Sequence, residues 1–541
     1  MPALQLQNLS YLLPDGRQPF PALNHVFQPR RIGLVGENGC GKSLLGRLLA
    51  RSLPPTGGQL LGKNRIWRLP QEMESRRYPT IAHLAGVDAI LAALRRIAQG
   101  SLDEGDYLQA QDRWDCEQRL LQLLAEIGLP SARADTPSHA LSGGERQRVA
   151  LACAWQSGAD WLILDEPSNH LDILQRRDLA KRIRDWPGGL ILISHEPAIL
   201  DATDEIVELS SLGLRNYGPG YTRYLETRVQ QQSLAQARLE TERRANRQLR
   251  LEQQSQLEKQ RKRASHGARE ARDGNQSKLI TDAKKDRSQK QLGKLLERQQ
   301  RTQAEQKQKL LDAQTDLQAR PAPMLRMPGC ELPDGKIALE LIELRLRHGT
   351  RAAITLQMRG PERIAIIGGN GSGKSTLLRT LAGHLPALSG ELRLQAALGC
   401  VDQHAIHAGL ALSPIQKLQQ SHAKLGESEI RTRLAQLGLS RAQTEGPCAE
   451  LSGGEKMRVA LAAALYAEAT PQLLLLDEPD NHLDQAAKQA LIAMLKQYQG
   501  ALLAVSHDAA FLRALHPDRW LWLESNKTKA SLSEDFPIEA N

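Results

Sequence analysis

One eight-residue stretch that occurs twice constrains this chain more than any other feature. Gly36-Glu-Asn-Gly-Cys-Gly-Lys-Ser43 returns 332 residues later as Gly368-Gly-Asn-Gly-Ser-Gly-Lys-Ser375, and Gln71 returns as Gln403 at the same spacing. Leu141-Ser-Gly-Gly-Glu-Arg146 returns 310 residues later as Leu451-Ser-Gly-Gly-Glu-Lys456. Leu164-Asp-Glu-Pro167 and Ser194-His195 return 312 residues later as Leu476-Asp-Glu-Pro479 and Ser506-His507. Motifs repeated in a fixed order mean one structural unit used twice. The changing offset places about 20 extra residues between Gln71 and Ser142 of the first copy.

Each copy reads as strand, glycine loop, helix. Arg31-Ile-Gly-Leu-Val35 and Arg363-Ile-Ala-Ile-Ile367 are short apolar runs suited to buried parallel strands, and each is followed by glycines and a helical pattern. Trp161–Leu164, Gly189–Ile193, Leu473–Leu476 and Ala501–Val505 supply further strands. Strands alternating with helices predict two α/β domains. The longest apolar runs are strand-sized, far below the ~20 residues that span a bilayer. The start, Met1-Pro-Ala-Leu-Gln-Leu-Gln, lacks the basic and apolar regions of a secretory signal. The six cysteines form no Cys-x-x-Cys pair, which argues against a disulfide framework or a zinc or iron–sulfur site. A cytoplasmic location is the expectation.

The net charge of +10 sits in one place: residues 226–320 hold 23 Lys/Arg against 13 Asp/Glu, and the remainder balances. This stretch has no aromatic residue and no proline until Pro321, and is rich in Gln, Ala, Leu, Arg, Lys and Glu, a helical composition. Ser265-His-Gly267 and Asp273-Gly-Asn275 interrupt it, so the reading is two antiparallel helices, about 225–263 and about 282–319. The apex between them is basic: Lys259, Arg261, Lys262, Arg263, Arg269, Arg272, Lys278, Lys284, Lys285 and Arg287. One-signed charge peaking at a tip fits phosphate-backbone binding, which weakens steeply with salt; without aromatics, base stacking is not the mode.

The repeated motifs carry a definite chemistry. Gly-x-x-x-x-Gly-Lys-Ser is a P-loop, whose glycines turn backbone N–H groups inward around phosphate oxygens at a helix N-terminus. The candidate phosphate-binding residues are Gly36, Glu37, Asn38, Gly39, Cys40, Gly41, Lys42, Ser43 and Leu44, with Gly368, Gly369, Asn370, Gly371, Ser372, Gly373, Lys374, Ser375 and Thr376 in the second copy. Lys42 and Lys374 would reach the β- and γ-phosphates. Ser43 and Ser375 would coordinate Mg²⁺ with Asp165 and Asp477, which end apolar strands. Glu166 and Glu478, one residue on, would handle the attacking water. His195 and His507 are candidate γ-phosphate contacts. Gln71 and Gln403 are candidates for a place near Mg²⁺ and water. Ser142, Gly143, Gly144 and Glu145, and Ser452, Gly453, Gly454 and Glu455, open helices and form a second kind of phosphate-binding N-terminus.

With Leu-Ser-Gly-Gly-Glu beside the P-loop, each copy resembles an ATP-binding cassette of the ABC superfamily. That resemblance implies two ATP molecules sandwiched head-to-tail, with Ser142–Glu145 completing the site of Lys374 and Ser452–Glu455 that of Lys42. A narrower resemblance covers nearly the whole chain. Paired cassettes without a membrane domain, with Asp165-Glu-Pro-Ser-Asn-His-Leu-Asp172 and Asp477-Glu-Pro-Asp-Asn-His-Leu-Asp484, look like the ABC-F family of translation factors. Asp112-Arg-Trp-Asp-Cys-Glu-Gln-Arg-Leu-Leu121 also resembles that family's first-cassette helix before the signature, in a segment too short for a long protruding arm. The family implies an ATPase acting on the ribosome, its linker reaching tRNA and rRNA near the peptidyl-transferase centre, with hydrolysis driving release.

The chain departs from the family at Ser168 and Asp480, where threonine is usual. The aromatic residue that usually stacks on adenine is missing from the second copy, where His348 holds its place; Tyr11 or Leu13 holds it in the first. Leu44 faces Thr376 across the repeat, so the two ATP sites need not be equivalent. The expected organisation is cassette 1 over 1–224, a basic helical linker over 225–322, cassette 2 over 323–523 and a flexible tail over 524–541, in a monomer whose cassettes pair internally. Two alternatives stay open, a tandem ATPase binding branched DNA and the ATPase subunit of an ABC importer.

Overall fold

The computed structural model describes residues 2–71, 73, 76–111, 113–169, 171–273, 301–302, 306–307, 330–402, 405–406, 408–481, 483, 485–524 and 531–535. Packing divides the chain into two units, one built from Met1–Thr222 with Ala322–Asn541 and the other from Arg223–Pro321.

In the first copy the strands are β1 (Leu4–Ser10), β2 (Leu23–Phe27), β3 (Arg31–Val35), β4 (Gly57–Leu61), β5 (Ile66–Leu69), β6 (Trp161–Asp165), β7 (Gly189–Ile193), β8 (Glu205–Ser210) and β9 (Gly213–Gly218). The central sheet runs β5-β6-β7-β3-β8-β9. Its first five strands are parallel, and β9 adds an antiparallel edge. Strands β6 and β7 are buried along their whole length, as an all-apolar run between two layers must be. A small antiparallel sheet, β2-β1-β4, packs its Leu4, Leu6, Leu9 and Phe27 into the same core as β3.

In the other unit the helix Tyr221–Asp273 runs for 53 residues, roughly 80 Å at about 1.5 Å per residue. It passes through Ser265, His266 and Gly267, where a break was expected. A single helix glycine costs only about 1 kcal/mol relative to alanine, too little to stop a helix this long. Side-chain bonds one turn apart, Gln248 to Glu252 at 3.1 Å and Gln254 to Glu258 at 3.4 Å, brace its exposed face. Gln306 Nε2 donates to Glu242 at 2.6 Å, which brings the returning segment onto this helix. Residues 301–302 and 306–307 are helical; the rest of the segment read as a second helix, and the apex residues Lys278, Lys284, Lys285 and Arg287, lie outside the described residues.

The second copy repeats the first. Its strands are β10 (Ile337–Arg345), β11 (Ile354–Arg359), β12 (Arg363–Gly368), β13 (Ser389–Leu394), β14 (Leu398–Val401), β15 (Leu473–Asp477), β16 (Ala501–Val505), β17 (Arg519–Leu523) and β18 (Ser531–Ser533). The order β14-β15-β16-β12-β17-β18 matches the first copy strand for strand. Leu473, Leu474, Leu475 and Leu476 are fully buried, each worth about 1.5–3 kcal/mol over exposure. The antiparallel edge strand β18 pairs Trp520 with Ser533. Part of the segment read as a flexible tail is therefore a sheet edge; Ser-Leu-Ser is too short and polar to signal a strand on its own. Among the described residues no helix is long and apolar enough to cross a membrane.

Candidate functional site

Both glycine loops lie between a central strand and a helix, β3 before Lys42–Leu49 and β12 before Lys374–Leu381. Gly41 and Gly373 precede these helices at φ 97°. A side chain would be strained by that backbone angle and crowded at either, since a Cβ on Gly41 would meet the Phe20 ring at 2.8 Å and one on Gly373 the His348 carbonyl at 3.0 Å. The lysines are buried and fold over their own loops: Lys42 Nζ donates to the carbonyls of Gly36 (2.7 Å) and Glu37 (2.9 Å), Lys374 Nζ to those of Gly368 (2.9 Å) and Gly369 (3.0 Å). Ser43 Oγ donates to Asp165 Oδ1 at 3.0 Å and Ser375 Oγ to Asp477 Oδ1 at 3.2 Å. A hydroxyl and a carboxylate held together beside a phosphate cradle are the hard oxygen donors that Mg²⁺ takes, usually with waters and phosphate completing its shell. The residues therefore fit an Mg–nucleotide.

Glu166 and Glu478 both have φ 50°, a left-handed conformation uncommon for residues other than glycine. The neighbouring strand locks it: Glu166 N–H donates to Ile193 O at 2.8 Å and Glu478 N–H to Val505 O at 2.9 Å. Strain of this kind, about 1–3 kcal/mol, persists where surrounding structure imposes it, and functional sites are where it gathers. Behind each glutamate stands its histidine, Nε2 3.8 Å from Oε1 in the His195–Glu166 pair and 3.2 Å in the His507–Glu478 pair. Burial raises Glu166 above the usual carboxylate range, with Lys42 opposing. Burial pushes in the same direction on Glu478, but its hydrogen bonds from His507 and Asn481 and the charges of His507 and Lys374 outweigh it and hold the group down at about 2. Burial, with Lys42 and Lys488, pushes His195 down to about 3.

A cavity of about 450 Å³ lies over the first loop. Asn38, Gly39, Gly41, Lys42, Ser43, Leu44, Gln71, Asp165, Glu166 and His195 all line it, as does Leu13, whereas Tyr11 packs against the core. Cys40 packs beside that core too, and burial raises its thiol. The second copy contributes Asp480, Asn481, Leu483 and Lys488 to the wall. Ser452, Gly453, Gly454 and Glu455 do not line this cavity. Each signature serine caps its own helix: Glu145 N–H donates to Ser142 Oγ at 3.3 Å and Glu455 N–H to Ser452 Oγ at 3.4 Å, while each serine N–H donates in return to the glutamate carboxylate. Reciprocally, Asp172 Oδ1 caps the helix Ile173–Asp185 while its Oδ2 accepts the Asn370 N–H of the second loop at 3.2 Å. Gln403 lies outside the described residues.

Sequence reasoning missed a group of charges in the cavity wall, where Arg176, Glu196, Asp480 and Lys488 all line it. Arg176 pairs with Glu196 at 2.8 Å. Lys488, its counterpart in the repeat, pairs with Asp508 at 2.7 Å and lies 3.8 Å from Asp480; both carboxylates are buried and the lysine side chain is 12% exposed. Burial works against the Lys488 ammonium, but the two carboxylates outweigh it and raise its pKa. The signal was present in the 312-residue offset that relates Arg176 to Lys488 and Glu196 to Asp508. Arg68, which donates to Asp165 Oδ2 at 3.1 Å, was missed as well. Among the described residues no cluster of three or more His, Cys, Asp or Glu is arranged to hold a metal.

Two parallel-sheet domains with P-loops, strand-end carboxylates and capped signature helices define a pair of ATP-binding cassettes. The family profile described as ABC transporter matches residues 24–169 and 352–481. The probable ATP-binding protein YheS of Escherichia coli K12 is 31% identical over 518 residues, 91% of this chain and 74% of the relative. Mouse ATP-binding cassette sub-family F member 3 is 29% identical over 92% of this chain and 68% of its own length. The Bacillus subtilis ribosome protection protein VmlR is 28% identical over 99% of this chain and 89% of its own length. The fold is similar to that of an archaeal ribosome recycling factor, aABCE1, with a TM-score of 0.59 and 20% identity over 97% of this chain and 89% of that one. The chain belongs to the ABC-F family of tandem ATP-binding cassette proteins, and it is an ATP hydrolase.

Proposed function

We propose that this chain binds two ATP molecules between cassettes spanning 1–224 and 323–523, and acts on the ribosome through the basic linker, 225–322. Lys42 and Lys374 hold the phosphates in this reading. Ser43 with Asp165, and Ser375 with Asp477, hold Mg²⁺, joined by Gln71 and Gln403. Mg²⁺ supplies charge neutralisation on the phosphates. Glu166 and Glu478 accept a proton from the attacking water, and His195 and His507 face the γ-phosphate. Binding of ATP draws Ser142–Glu145 onto the Lys374 site and Ser452–Glu455 onto the Lys42 site. The cassettes are already keyed to each other through Asp172 and Asn370. Hydrolysis then releases the protein from the ribosome.

The observation that carries the ribosomal reading is the concentration of the whole charge excess in residues 226–320, in a chain alike over 99% of its length to a ribosome protection protein. Lys259, Arg261, Lys262 and Arg263 follow one another along the long helix, a density suited to a phosphate backbone. The test is ATP hydrolysis measured with purified ribosomes and, separately, with branched DNA at about 150 mM salt. Stimulation by ribosomes alone supports the reading; stimulation by DNA alone replaces it.

A further inference from the structure

The two Mg²⁺ carboxylates are not held alike. Asp165 is fully buried with both oxygens engaged, Oδ1 by Ser43 at 3.0 Å and Oδ2 by the Arg68 guanidinium at 3.1 Å. Arg68 interrupts the apolar strand β5, and its side chain is 12% exposed. The 332-residue offset places Cys400 of β14 at the equivalent position. Asp477 keeps its serine, Ser375, at 3.2 Å, with the positive charge of Arg379 also in its surroundings.

A second substitution shows that this arrangement is built in. Gly46 sits in the helix that carries Lys42, and a Cβ placed there would meet Ile193 at 3.1 Å, Ile163 at 3.5 Å and Arg68 Nε at 3.8 Å. Its counterpart is Leu378, 1% exposed, in the core cluster against which Cys400 packs. The first copy pairs a large residue in the strand with none in the helix, and the second reverses the volumes. Close-packed interiors require such compensation, and a helix glycine is otherwise unfavourable by about 1 kcal/mol.

We infer that Arg68 is a positioning residue that makes the first nucleotide site bind its divalent cation more weakly than the second. This rests on the proposed Mg²⁺ roles of Asp165 and Asp477. A bidentate-capable cation on Oδ2 draws charge from the carboxylate and repels a further positive charge brought to it. The second site, with a thiol in place of the guanidinium, carries no such competitor on its carboxylate from that position.

Full-length chains with Lys374→Ala or Lys42→Ala leave only the first or only the second site able to hold nucleotide. Each is saturated with a non-hydrolysable ATP analogue and titrated with Mn²⁺, free Mn²⁺ being read by electron paramagnetic resonance. The first site is expected to bind Mn²⁺ at least about tenfold more weakly, a difference of about 1.4 kcal/mol. Adding Arg68→Cys to Lys374→Ala should bring the two sites within about threefold. Gly46→Leu with Arg68→Cys recreates the second copy's packing, so lost folding is not mistaken for lost repulsion. Equal Mn²⁺ affinity at the two sites, or a gap that survives Arg68→Cys in a folded protein, overturns the inference. If neither chain binds analogue with or without Mn²⁺, the nucleotide-site reading itself fails and this inference goes with it.

Discussion

Lys488 holds two buried carboxylates of opposite elements, Asp508 beside the helix Ala509–Ala514 and Asp480 after β15. Lys488→Met keeps most of the side chain's volume and removes its charge, leaving Asp480 (4% exposed) and Asp508 (6%) without their cation. Removing one partner of a buried pair typically costs about 3–5 kcal/mol. At roughly 2–4 °C per kcal/mol for domains near 200 residues, the melting temperature should fall by about 6–20 °C. The sign with pH follows from linkage. Burial holds Asp480 above its ordinary value even with Lys488 present, and without the ammonium both carboxylates move upward. A carboxylate with a raised folded pKa costs stability above its unfolded pKa of about 4, and that cost fades as it protonates. The variant's deficit should therefore be larger at pH 7.5 than at pH 5. Scanning calorimetry on the full chain measures both. The double variant Lys488→Met/Asp480→Ser, which adopts the Ser168 of the first copy, should recover part of the loss. A shift below about 1 °C at pH 7.5, or a deficit that grows on acidification, would refute the reasoning.

Gly46→Leu alone should overpack the first core by about 1–3 kcal/mol, seen as a lower melting temperature, and Arg68→Cys should relieve it. Glu166→Gln with Glu478→Gln should abolish steady-state phosphate release while leaving binding of a fluorescent ATP analogue within about threefold. Replacing Asp172 by alanine should cost about 1 kcal/mol through the lost helix cap and also weaken the link to Asn370, read as a change in ATP affinity at the second site. Lys259, Arg261, Lys262 and Arg263 changed together to Gln should flatten the salt dependence of RNA binding, each lost phosphate contact lowering the log–log slope by about 0.7–0.9.

The P-loops, strand-end carboxylates and signature helices were legible because each is a run of residues at a fixed spacing, and the repeat set every one beside its copy. The sheet order was less so, since parallel pairing of β3 with β7 joins residues over 150 apart through a crossover no local pattern records. The long helix passed through its Ser-His-Gly interruption because many good helix formers on either side outweigh three poor ones. Arg68 escaped notice because one charge in Ile-Trp-Arg-Leu reads as a solvent-facing position; only the fold brings it to Asp165, 97 residues away. Asp480 stood out as a departure from the family, but its reason lay in Lys488, which no motif contains. The signature helices were placed correctly as N-termini, while their serines serve as caps, a use the same residue type and spacing permit.

The central claim is that ATP and the linker together commit this protein to the ribosome. The most direct test sediments the Glu166→Gln/Glu478→Gln chain with ribosomes through a gradient at about 150 mM salt, with and without ATP, beside the same chain carrying Gln at 259, 261, 262 and 263. Co-migration that requires ATP and is lost on neutralising those four residues is the predicted result. A chain that stays at the top of the gradient with ATP present, or one that co-migrates equally well without its four linker charges, would contradict the account.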